Sequence, residues 1–456
     1  MPADKHPVEH LSAKLQLTRF EDFPAATIEK AKLHILDTIG VALAGAASAE
    51  TRTILQGLGL DADSGRSAAW GLGYRLNPRS ASFINGVSAH ALELDDSGGC
   101  DHSGAVVLPA ALAMLPEIHH AVSGKALLRS VLLGYETGRR VLEATGGYEQ
   151  HNGRGWHSTG TCGVFGAATS AALLLDLDQQ QLSSALGIAC SYAGGTWGFI
   201  HDGSQTKKLH SGRAAEGGVC AALLASKGFQ GPKAVFDPGV WGSFFSSFTP
   251  ELTDVHALYA EFGRNWRLNR CSIKPYATCR GTHSAIDAVQ SLLSTHQIQA
   301  GDIVRIRVAM SPFQFGMCGG KSVTTRAEAQ MSLPYALAAR LHFGRVGLAQ
   351  LETAAFSAPE ISQWLSRIDV VSDPSMADDA EPMVTLQCAT QHFSKTINSP
   401  LGSPDNPLPP QQLLEKFMDL ATGTLPPAAL ETLRHRVLTL DTQQDVRDLP
   451  NLLCSG

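Results

Sequence analysis

Histidine, lysine and acidic side chains gather in a few short stretches of this 456-residue chain, each set against apolar sequence. "ELDDSGGCDHSG" places Glu93, Asp95, Asp96, Ser97 and Asp101 ahead of His102, and "GRGWHSTGT" carries His157. "GFIHDGSQTKKLHSG" carries Gln205, Lys207 and Lys208, and "IKPYATCRGTH" carries Lys274, Cys279 and Arg280. Tyr335, in "SLPYAL", forms a fifth cluster. Histidine is the side chain best suited to proton transfer near neutral pH. Lysines and helix N-termini suit the binding of carboxylates.

The whole-chain charge makes such a cluster necessary for an anionic substrate. Thirty-six basic against 42 acidic residues give a net −6, so no global field draws in polyanions. His102, His157, Lys207 and Lys274 would supply cations locally. Each residue also has an ordinary structural reading. Asp95, Asp96 or Ser97 could cap the helix after His102, and Ser158 or Thr159 could cap the one after His157. Lys207 and Lys208 could form an exposed pair at a helix start, where cations are disfavoured.

Several chemistries lack a motif. No G-x-G-x-x-G joins a strand to a helix, and G-x-x-x-x-G-K-[ST] and H-E-x-x-H are absent. Cys100, Asp101 and His102 are adjacent, and one metal rarely takes three consecutive side chains, so no metal is expected. Nucleotide binding has no sequence support either. Basic residues do not interleave with aromatics as in nucleic-acid modules. Nine cysteines without a CxxC pair fit reduced thiols in a cytoplasm-like compartment. Two uncharged stretches, 155–175 and 182–200, are rich in Gly, Ala, Ser and Thr rather than Leu, Ile and Val. They predict helices buried in protein, with no membrane span.

These clusters need a scaffold, and the pattern from Phe23 to about Gly231 is helical almost throughout. Glycines at 160, 163 and 166 predict the close approach of a neighbouring helix. The texture changes near Trp266, where "WRLNRCSIKPY" reads as a strand. "GTHSAIDAVQSLLSTHQ" then reads as a helix, and "DIVRIRVAMSP", "RIDVVSDPSM" and "EPMVTLQCATQHFSKTI" read as strands. "RAEAQMSLPYALAARLHFG" is helical again. A Pro/Gly-rich linker leads to closing helices that should pack back on the first domain. The expected fold class is mainly α, with residues 1–267 and 398–456 forming a large all-helical domain. Residues 268–397 form a smaller α+β, lid-like domain.

In this order and spacing the clusters resemble the MmgE/PrpD family. The matching stretches are "LDTIGVALAG", "SASFINGVSAHALELDD", "GWHSTGTCGVFGAA", "GSQTKKLHSGRAAEGG", "KPYATCRGTHSAIDA", "AEAQMSLPYALA" and "GSPDNPL". The resemblance spans about residues 8–420. It implies a homodimer acting on a small di- or tricarboxylate, with the active site between the two domains. It also implies no organic cofactor or metal. Known family activities include 2-methylcitrate dehydratase, cis-aconitate decarboxylase and iminodisuccinate epimerase, which share movement of a proton next to a carboxylate.

By position the resemblance makes His102, His157, Lys207 and Tyr335 catalytic. It makes Asp95, Asp96, Ser97, Gln205, Lys274, Cys279 and Arg280 substrate-binding. Epimerisation would pair His157 with Lys207 or Tyr335, and dehydration would use His102 or Tyr335 as the acid. Glu93 stands where the decarboxylase branch has aspartate, Ser97 where it has threonine, and Cys279 where it has histidine. The loop to His102 is shorter and glycine-rich. These departures count against cis-aconitate decarboxylation and against a close match to the propionate-pathway dehydratase. The expected reaction is iminodisuccinate-epimerase-like, with dehydration as the alternative and a non-catalytic carboxylate-binding role as another.

Overall fold

The computed structural model describes residues 5–454. The chain is mainly helical, with a smaller part that combines helices and a sheet. In the first part, apolar periodicity produces α1 (Ala25–Ala46), α2 (Pro78–His90), α3 (Gly104–Met114) and α4 (Gly124–Ala144). α5 (Gly163–Leu174), α6 (Gln179–Ala189) and α7 (Thr206–Ser226) follow. Start signals are local: Asn77 accepts from the N–H groups of Arg79 and Ser80, with Pro78 at the first helical position. α3 and α5 are buried along their whole length, as helices apolar on all sides must be.

α5 packs against both α4 and α7, and α7 also packs against α2. At the α4–α5 crossing a Cβ on Gly166 would fall 2.6 Å from the Gly134 carbonyl, so the two backbones approach as only glycine permits.

The strand expected at 266–276 is not formed. Arg267–Arg270 is a short 3-10 turn, and Ser97 and Ser272 exchange a single antiparallel bridge. No neighbouring strand extends that ladder. The bridge instead pins the acidic loop of residues 93–103 to the segment that carries Lys274.

The second part begins with α8 (His283–His296) and β1 (Arg305–Met310), then α9 (Leu333–Phe343). β2 (Ile368–Ser372), β3 (Met383–Gln387) and β4 (His392–Thr396) complete a mixed sheet in the order β2-β1-β3-β4. β1 pairs parallel with β2 and antiparallel with β3, which sets Ile306 opposite both Ile368 and Leu386. Ile306, Val308, Met310, Val384 and Leu386 face inward under α8, while Arg305 and Arg307 face solvent. These residues form a hydrophobic cluster distinct from that of the helical part.

The chain then returns through α10 (Pro410–Ala421) and α11 (Pro427–Leu438), which pack on α1. From α10, Lys416 Nζ lies 2.6 Å from Asp37 Oδ1 and donates to the carbonyls of Leu94 at 3.0 Å and Lys274 at 2.9 Å. Among the described residues no helix is long and apolar enough to cross a membrane.

Gly166→Ala should lower stability by about 1–3 kcal/mol, the usual cost of overpacking a close-packed core. The check is a lower urea midpoint for the variant, measured beside the parent protein.

Candidate active site

The polar clusters converge on one cleft of about 330 Å³, lined by residues of both parts of the chain. Glu93 lies at its base, three residues past the end of α2, with φ +54°. Lys207 and Lys208, in the first turn of α7, donate to its two carboxylate oxygens at 2.5 and 2.9 Å. Lys274 donates to Glu93 Oε1 at 3.3 Å and to the Glu93 carbonyl at 3.1 Å. All four side chains are buried. Burial alone would raise the Glu93 pKa, but the three ammonium groups outweigh it and hold the carboxyl well below its usual range. Burial likewise works against the Lys207 ammonium, yet Glu93 holds its pKa above the ordinary lysine value. The exposed-pair reading of Lys207 and Lys208 is therefore overturned.

His102 is fixed beside this cluster. Its Nδ1 donates to the Asp96 carbonyl at 2.9 Å and lies 3.0 Å from Asp95 Oδ2. Its Nε2 lies 3.4 Å from Asp101 Oδ2 and 3.7 Å from Glu93 Oε1. Burial lowers the His102 pKa, but Asp101 and Asp95 more than offset that and raise it above 6.5. The imidazolium form is thus favoured. Its neighbour His90 shares Asp95, at 3.0 Å, and burial keeps that ring neutral.

His157 lies behind Asp101 and does not line the cleft. Its Nδ1 is 2.8 Å from His210 Nδ1, and its Nε2 is 3.5 Å from Asp101 Oδ2 with no hydrogen bond. Burial brings its pKa down to about 4, and that of His210 to about 3. His157 is accordingly a neutral ring whose free nitrogen faces the acid that flanks His102.

Of the residues singled out from sequence, Ser97, His102, Lys207, Cys279 and Arg280 line the cleft. Lys274 lies beneath it on Glu93. Asp95 and Asp96 are buried away from the cleft and position other groups. Asp96 accepts from the Gly104 N–H at 2.9 Å and from the Tyr135 hydroxyl at 2.7 Å, so it caps α3 and ties α3 to α4. Gln205 is exposed and outside the cleft lining. Tyr335 is also outside it: its hydroxyl donates to the Gln350 carbonyl inside the second part, and burial pushes its pKa up to about 12.

Other lining residues had no signal in the sequence. Arg139 sits in the last turns of α4 against Glu143 four residues on, which reads as an ordinary helix-surface pair. Arg270 meets the same glutamate at 3.4 Å, and Tyr148 completes that wall. Asp101, with φ +111°, was visible only as one acid among four. The glycine between these strained acids is required. Gly98 has φ +92°, and a Cβ there would meet the Arg270 carbonyl at 2.8 Å.

Two groupings have the ligand types of a metal site, His90 with Asp95 and His102, and Asp101 with His102 and His157. Within each, the ligand atoms lie within 4.8 Å of one another. His102 belongs to both.

Comparison with known proteins covers almost the full length. Residues 9–253 match the MmgE/PrpD N-terminal domain, and residues 276–442 match the MmgE/PrpD C-terminal domain. The cis-aconitate decarboxylase-like protein oryM of Aspergillus oryzae is 29% identical over 456 residues, covering 95% of this chain and 94% of its own. Cis-aconitate decarboxylase of Aspergillus terreus is 27% identical over 459 residues, covering 95% and 93%. The Homo sapiens cis-aconitate decarboxylase is 27% identical over 442 residues, covering 93% and 90%.

Glu93→Gln should cost about 3–5 kcal/mol, because it leaves three buried ammonium groups without their counter-charge. A carboxylate with a depressed pKa contributes stability that is present above 4.5 and lost as pH falls through the depressed value. Urea midpoints measured from pH 7 down to pH 3 should show that acid-range loss in the parent protein and less of it in the variant.

Proposed function

The chain belongs to the MmgE/PrpD family, and from that membership and the chemistry of the cleft we propose an enzyme that moves a proton on a small polycarboxylate. The reacting proton is on a carbon next to a carboxylate. The observation that carries this reading is His102, held at the cleft with an acid on each ring nitrogen and facing Lys207. When a C–H bond next to a carboxylate breaks, charge moves onto the carboxylate oxygens. Fixed cations there stabilise the transition state more than the ground state. Lys207 is held charged by Glu93, and Arg139, Arg270 and Arg280 offer further seats for carboxylates. His102, kept protonated, delivers the proton to carbon.

The finer reading is epimerisation of an amino- or iminodicarboxylate. The cleft carries acids as well as cations, with Glu149, Asp378 and Asp379 among its lining residues. That mixture suits a substrate with a cationic nitrogen better than one bearing carboxylates alone. Decarboxylation of cis-aconitate is a second reading, favoured by the names of the relatives. There the same acid would protonate the carbanion left by loss of CO₂.

The test is NMR in D₂O against iminodisuccinate, 2-methylcitrate, citrate and cis-aconitate. Deuterium should enter iminodisuccinate at the carbon next to a carboxylate, and His102→Gln should slow epimerisation at least ~100-fold, the scale of general acid–base catalysis. CO₂ release from cis-aconitate, without exchange on iminodisuccinate, would assign the decarboxylase activity instead. The His102 pKa is raised, so a step using its protonated form is fully available below 6.5 and declines as pH rises through the raised value. EDTA should leave the rate unchanged; loss on chelation, restored by added zinc, would place a metal on the His102 groupings.

A further inference from the structure

Inversion at carbon needs a proton donor on one face and an acceptor on the other, and the candidates that the family resemblance offered for the second group are unavailable. Lys207 is locked as a cation by Glu93, and Tyr335 is turned into the second part of the chain. His157 lies behind Asp101, outside the lining. The cleft wall contributed by the second part contains one thiol, Cys279, half-buried and open to the cleft.

The surroundings of that thiol are those of a thiolate. The Cys318 thiol, fully buried, lies on the inner side of the same turn. A Cβ on Gly281 would lie 4.0 Å from Cys279 Sγ and 3.5 Å from Cys318 Sγ, so both sulfurs converge on this one turn. The charged groups facing Cys279 are Lys207, Lys274 and Glu93, with Arg280 next in the chain. Its backbone is held from both sides, by its own N–H on the Gln330 carbonyl at 2.8 Å and by Thr282 N–H on its carbonyl at 3.0 Å. It also precedes a helical run, Arg280–Thr282 and then α8, whose N-terminal end favours a nearby anion. The nearby Cys318 thiol foremost, and then Lys207, outweigh burial and lower the Cys279 pKa below the ordinary thiol range, while that of Cys318 rises well above it.

We propose that Cys279 is the second acid–base group of this site, acting on the face of the reacting carbon opposite His102, with Cys318 as its positioning residue. The inference rests on the proton-transfer reading above. In one direction the Cys279 thiolate takes the C–H proton through a sulfur lone pair, and the C–H electrons pass into the carboxylate-stabilised carbanion. His102 then gives its Nε2 proton to the other face, which leaves a thiol and a neutral imidazole. The reverse turnover restores thiolate and imidazolium, and no oxidant or reductant takes part.

A two-faced site fails asymmetrically, and that makes the test specific. Each stereoisomer of iminodisuccinate is incubated in D₂O with the parent protein, Cys279→Ser, Cys279→Ala and His102→Gln, and inversion and exchange are followed separately. Both Cys279 variants should lower inversion at least 100-fold while sparing deuterium exchange from one stereoisomer. His102→Gln should spare exchange from the other. Inversion within threefold of the parent in Cys279→Ser would mean a hydrogen-bonding role only and would overturn the proposal. A parent protein inert towards every acid in the panel would instead reject the parent reading, and this inference with it.

Cys318 has its own readout. The pH midpoint for alkylation of Cys279 by iodoacetamide, followed by peptide mass spectrometry, should rise in Cys318→Ala and return towards the parent value in Cys318→Ser. An unchanged midpoint in Cys318→Ala would remove the positioning role.

Discussion

A carboxylate enclosed by three ammonium groups is the constraint around which this molecule is arranged. At an effective dielectric of about 20, two unit charges in contact attract by about 4 kcal/mol, while each buried ion loses several kcal/mol of hydration. Such a cluster is favourable only when complete. Its members come from the turn after α2, the first turn of α7 and the segment before α8. Glu93 therefore sets the relative positions of three distant chain segments, and those segments carry the walls of the cleft. The arrangement leaves an excess of positive charge beside Lys207, where an incoming carboxylate would share the ammonium with Glu93.

The loop that delivers Glu93 and His102 is held in conformations most residues avoid. Glu93 and Asp101 both have left-handed φ, a state that costs on the order of 1–3 kcal/mol per residue and persists only where surroundings enforce it. The enforcement is visible here. Lysines hold the Glu93 carboxylate, the Ser97–Ser272 bridge holds the middle of the loop, and Asp96 anchors it to α3 and α4. A ring supported on both nitrogens by such a loop has little freedom to reorganise, which is the condition that electrostatic preorganisation requires.

Much of the fold was legible because its determinants are local. Apolar periodicity marked the long helices, and alternation marked the strands at 305–310, 368–372 and 383–396. The segment after Trp266 also alternates, but among the described residues its one β-bridge is to Ser97, and a strand needs a neighbour along its length. At the site, residue types were legible while partnerships were not. Lys207 and Lys208 looked misplaced at a helix start because the acid that offsets them is 114 and 115 residues away. Asp96 fulfils the modest capping reading rather than a substrate-binding one. The position of Tyr335 followed from family resemblance, whereas its direction is set by the Gln350 carbonyl, which no spacing rule reveals.

Lys416 has a consequence for the order in which the molecule can be made. Its amine joins Asp37 on α1 to the carbonyls of Leu94 and Lys274, so it closes the ring of segments around the acidic loop. It is 142 residues beyond Lys274. At ordinary translation speeds of about 5–20 residues per second, Lys274 leaves the ribosome on the order of ten seconds before its clamp does. During that interval the nascent chain holds every cation of the Glu93 cluster without the strut that encloses them. Assembly of the site is in that sense a late event of synthesis, governed by a residue that never meets the cleft.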